Sequence, residues 1–65
     1  MATQRGYYRA EMLRAIENIG MALTHLVRIR DAYSKDYPQI ASFVQQIGDA
    51  LVMAAENIQK VHDSV

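Results

Sequence analysis

Apolar residues recur along the second half of this chain at alternating spacings of four and three. They are Ile40, Val44, Ile47, Leu51, Ala54, Ile58, Val61 and Val65. Met12, Ile16, Ile19, Leu23 and Leu26 repeat the pattern in the first half. That rhythm puts each set on one side of an α-helix. The chain therefore predicts two long amphipathic helices. Two helices cannot enclose a core, so the pattern also predicts something to cover their apolar sides.

Size sharpens that requirement. The chain has 65 residues, and a domain this small buries only roughly 60% of its unfolded surface. Small domains add disulfides, a metal or a second subunit. Cysteine is absent, which removes disulfides and thiolate metal sites and leaves association. Lack of cysteine also fits a reducing compartment. Residues 1–9 contain no apolar stretch of the signal-peptide kind. The longest apolar run, Ala50 to Ala55, is far short of the ~20 residues a membrane span needs. A cytoplasmic protein without membrane contact is expected.

The helix boundaries follow from local signals. Residues 1–5 are expected to form a short disordered lead, helix 1 to span about 6–32, the turn 33–36 and helix 2 about 37–63, in one domain. Arg28 and Arg30 sit in the last turns of helix 1, where cations favour the helix dipole. Asp36 and Gln39 have the spacing of a capping box, and Pro38 lies in the first turn of helix 2. Glu11 with Arg14, and Glu56 with Lys60, are expected helical ion pairs. Asp31 would pair with Lys35 if helix 1 ran that far.

A short turn makes the helices antiparallel. Residues 1–31 carry five arginines against three acids, and residues 32–65 two lysines against four. The halves are thus oppositely charged, which suits packing of one on the other. Residue numbers that sum to about 70 then lie level. Gly20 falls at the level of Ala50 and Gly48 at that of Ala22, a pattern that suits close helix approach. Arg30 falls on the seam near the turn, its stem covering the end of the hairpin. Both apolar sides are wider than one neighbour needs: Phe43 and Ala50 widen one edge of helix 2 and Ala55 the other. The expected fold is all-α: a two-helix antiparallel hairpin, dimerising into a four-helix bundle. The core residues expected in hairpin and dimer are Met12, Ile16, Ile19, Leu23, Leu26, Val44, Ile47, Leu51 and Ile58.

Recognisable chemistry is missing from the inventory. His25 and His62 are the only imidazoles, and the hairpin holds them roughly 25 Å apart at 1.5 Å per residue. No Glu-x-x-His pair faces inward, no serine has a base and an orienting group, and no glycine-rich loop offers to hold a phosphate. The chain is not expected to be an enzyme or to carry a cofactor or metal. Two surface features remain. Met21, Val52 and Met53 are apolar residues in polar arcs; with the Arg14 and Arg28 face they are candidate contacts to a larger protein partner. The leading expectation is a small regulatory or adaptor protein acting as a homodimer. The alternative is a nucleic-acid-binding regulator. It would use Tyr7, Arg14, Asn18, His25 and Arg28 on the outer side of helix 1 to follow a phosphate backbone.

Overall fold

A computed structural model describes the backbone of residues 2–65 and the side chains from Gln4 onward. Helix α1 spans Ala2–Tyr33 and helix α2 spans Pro38–Ser64. The start of α1 differs from the sequence expectation. Residues 2–5 extend the helix, because alanine, glutamine and arginine are good helix formers and no proline intervenes. Met1, the first residue of the expected lead, lies outside the described residues.

The turn also differs from expectation. Tyr37, not Asp36, is the cap of α2, with φ −135° and ψ 69° and no side-chain capping bond. Pro38 is the reason. Its ring excludes the preceding residue from helical geometry, so the last non-helical residue must be Tyr37. The expected box of Asp36 and Gln39 does not form. The Tyr37 carbonyl accepts from the amides of Ile40 and Ala41 at 3.0 and 3.1 Å. Its own amide donates to the Tyr33 carbonyl at 2.8 Å, and the Tyr33 and Tyr37 rings meet edge to face, 5.9 Å apart.

The two helices pack antiparallel along their whole length, giving a rod whose Cα atoms span 54 × 15 × 10 Å. Along α1 the half-buried positions include Met12, Ile16, Ile19, Leu23 and Leu26, as the sequence predicts. Along α2 the phase is different. Val44, Leu51 and Ile58 are half-buried and form the middle of the seam. Beside them, however, lie Ala41, Gly48, Ala55 and His62. Ile40, Ile47, Val61 and Val65, expected in the seam, are exposed, while Ala54 is half-buried. Ile47 in particular is 51% exposed and is not part of the hairpin's own core.

Side-chain size accounts for the choice. The seam of α1 is built of Met, Ile and Leu, and small residues opposite them let the helices approach. Gly48 lies against Leu23, with 3.7 Å between the Leu23 Cδ2 and the point where a Gly48 Cβ would sit. Gly20 does not share that contact. It is exposed, and a Cβ there would meet nothing within 4 Å. The paired-glycine expectation therefore holds for Gly48 alone.

Polar contacts tie both ends of the rod. Near the turn, the Arg30 Nη1 donates to the Gln45 Oε1 at 2.6 Å, and the Gln45 Nε2 donates to the Asp49 Oδ1 at 2.9 Å. Arg30 also reaches the Asp31 carboxylate at 3.2 Å. At the other end, the Arg5 Nε donates to the Val65 carbonyl. Among the described residues the only buried one is Ala41, at 8% exposure.

Candidate interaction surfaces

Two flanks of the hairpin remain open, one on each side of the seam. Helical position and burial assign residues to them. The first carries Leu13, Gly20 and Val27 of α1 beside Gln45, Asp49, Val52 and Glu56 of α2. Near the turn it forms a shallow groove of about 260 Å³, lined by Leu23, Val27, Arg30, Gly48, Asp49 and Val52 among others. The floor is apolar. Arg30 and Asp49 form the rim, joined through Gln45.

The second flank carries Ala15, Ala22, Ile29 and Tyr33 of α1 beside Ile40, Phe43, Ile47, Ala50, Ala54 and Val61 of α2. Phe43 is 64% exposed, the most open of its large apolar residues. On α2 none of these positions is charged; on α1 the same side also carries the half-buried Glu11, in line with Ile29 and paired with Arg14.

The residues singled out from sequence are divided among separate surfaces. Met21 is exposed on the outward side of α1, and Met53 on the outward side of α2. They point away from each other and share no patch. Val52 belongs to the groove. The three are thus not one binding site. Phe43 and Ile47 are the larger apolar exposure. Phe43 was legible as a widening of the α2 stripe, but its exposure depends on the phase of the helix.

The column Tyr7, Arg14, Asn18, His25 and Arg28 is exposed along α1, with Met21 in its middle. Its charge is partly spent. The Arg14 guanidinium is paired with Glu11 three residues earlier, and Tyr7 stacks edge-on with Tyr8 at 5.1 Å. Among the described residues Arg28 makes no ion pair. The pair expected of Asp31 with Lys35 gives way to Asp31 with Arg30, because α1 ends at Tyr33. Glu56 and Lys60 make no ion pair among the described residues.

His25 is exposed, whereas the His62 side chain is only 14% exposed at the edge of the seam. The His62 Nδ1 lies 3.1 Å from the Asp63 Oδ1. That contact, with a bond from the Gln59 Nε2 at 2.9 Å, lowers the Asp63 pKa from its ordinary 3.8. Among the described residues, no three acidic or imidazole side chains gather in a metal-binding group. Among the described residues no helix is long and apolar enough to cross a membrane. No family model matches the chain, and no curated protein or solved structure shows significant similarity to it.

Proposed function

We propose that this chain is a non-enzymatic regulatory or adaptor protein that works as a homodimeric four-helix bundle and binds a larger protein. The observation that carries the reading is the burial, among the described residues, of a single side chain, Ala41, in a hairpin that exposes large apolar residues on two flanks. A surface of that kind is completed by other chains. The two flanks differ in character. The flank of Phe43 and Ile47, uncharged along α2, has the make-up of a permanent interface. The groove flank mixes apolar floor with charged rim, as transient protein contacts do.

The larger partner is assigned to the surfaces that dimerisation leaves open: the groove with Val52, and the outward side of α2 with Met53. The test is capture from native lysate with the tagged chain, with and without nuclease treatment. A protein that survives nuclease and is lost with Met53→Glu, while the variant remains a dimer, supports the adaptor reading. Retention by Met53→Glu removes the Met53 surface.

A second reading has one observation in its favour. The Tyr7-to-Arg28 column runs unbroken and exposed along one helix, and pairing of two first helices would double it. In that reading the protein binds RNA or DNA, and capture yields nucleic acid that nuclease removes.

A further inference from the structure

We propose that the flank of Phe43 and Ile47 is where two copies of this chain join, with their turns at opposite ends of the bundle. The proposal rests on the dimeric reading above and deepens it by naming the face and the orientation.

Three observations support a second copy as the occupant. First, Ile29, Tyr33, Ile40, Phe43, Ile47 and Val61 share this flank, each between 41% and 64% exposed. Along α2, positions 40, 43, 47, 50, 54, 57 and 61 contain no ionisable side chain. The buried centres of interfaces are depleted of charge in the same way. Second, the area fits. The chain exposes 5110 Å², whereas a compact protein of its mass exposes roughly 4,200 Å². The surplus of about 900 Å² is close to the ~800 Å² that each partner contributes to a standard interface. Third, the radius of gyration is 15.4 Å, against roughly 11 Å for a compact chain of this length. Doubling the thickness of the rod, not its length, restores a compact shape.

The profile of the flank sets the orientation. It is thick near the turn, where Tyr33, Ile29, Ile40 and Phe43 stand. It is thin beyond the middle, where Ala50, Ala54 and Ala15 lie, and fuller again at Val61 near the free end. Reversal sets the alanines of one copy against the bulky residues near the turn of the other, with Ile40 beside Val61 at each end. With full overlap, α2 then runs against α2 of the second copy, so Ile47 meets Ala54 and Ala50 lies at the two-fold axis. With turns at the same end, the thick parts would collide and the alanines would face a void, and close-packed interiors tolerate neither.

The absence of cysteine makes the orientation measurable. Lys35→Cys, spin-labelled in the turn, is expected to give one interchain distance of roughly 45 Å, from 1.5 Å per helical residue. A distance under about half of that overturns the orientation. Sedimentation of the purified chain is expected to give twice the 7.4 kDa monomer mass. Phe43→Glu is expected to lose the dimer, and Leu13→Glu, on the other flank, to keep it. A folded monomer, or the reverse response of the two variants, overturns the face. Should Phe43→Glu fail to fold, the milder Ile47→Ser tests the face by the same loss of dimer, and the Lys35→Cys distance tests the orientation. These measurements use the isolated chain. A dimer that forms as described but captures no protein from lysate keeps this inference and removes the adaptor reading.

Discussion

At the scale of single residues, Arg30 and Asp36 show opposite outcomes of local reading. Arg30 lies on the seam, and its position near the turn foretells a head group turned toward Asp31, Asp36 or water. It takes Asp31 and adds Gln45 across the helix pair. Asp36 has the spacing of a cap but is displaced by the constraint Pro38 puts on Tyr37. Asp36→Ala is therefore expected to change stability by less than about 0.5 kcal/mol, the range of exposed positions. A true cap would cost about 1 kcal/mol, and urea unfolding separates the two. Arg28 carries the nucleic-acid reading, since Arg14 is already engaged by Glu11. If that reading holds, Arg28→Ala weakens binding and lowers its dependence on salt by about one counterion. Affinity unchanged between low and high salt removes it.

At the scale of elements, the period of each helix was legible but the phase of α2 was not. Val44, Leu51 and Ile58 are flanked by two columns with the same spacing. One is Ile40, Ile47, Ala54 and Val61; the other is Ala41, Gly48, Ala55 and His62. Hydrophobicity favours the first for the seam. The second is chosen because bulky residues on α1 need small ones opposite, a demand visible only once the helices are paired. The core list read from sequence is accordingly right for α1 and misplaces Ile47. The candidate contacts suffered from the same blindness, since Met21 and Met53 look equivalent until the pairing sets them on opposite sides. Gly20 follows from this geometry too. With open space around it, Gly20→Ala is expected to stabilise the helix by about 0.5–1 kcal/mol. Thermal melting checks this, and a loss of stability instead would mean that another chain occupies the space.

At the scale of the whole molecule, the hairpin is regular in its helices but incomplete in burial. Half-buried seams along 54 Å and, among the described residues, a single buried alanine leave little margin for a monomer. Stability and association should then be linked. The melting temperature is expected to rise with protein concentration, as it does when only the folded form binds its partner. Calorimetry over a hundredfold dilution checks it, and a constant midpoint with full helicity describes a self-sufficient hairpin.

Pro38 has a consequence for this architecture. Two helices of nearly equal length joined by four residues are one short step from a single continuous helix roughly 90 Å long, at 1.5 Å per residue. Opened in that way, each half could exchange with the matching half of another molecule, and the product would be a swapped pair or a growing chain. Pro38 closes that route. It brings no amide hydrogen, and in a continuous helix its ring would strike the carbonyl of Ser34. The residue that fixes where α2 begins thereby also keeps each molecule folded on itself.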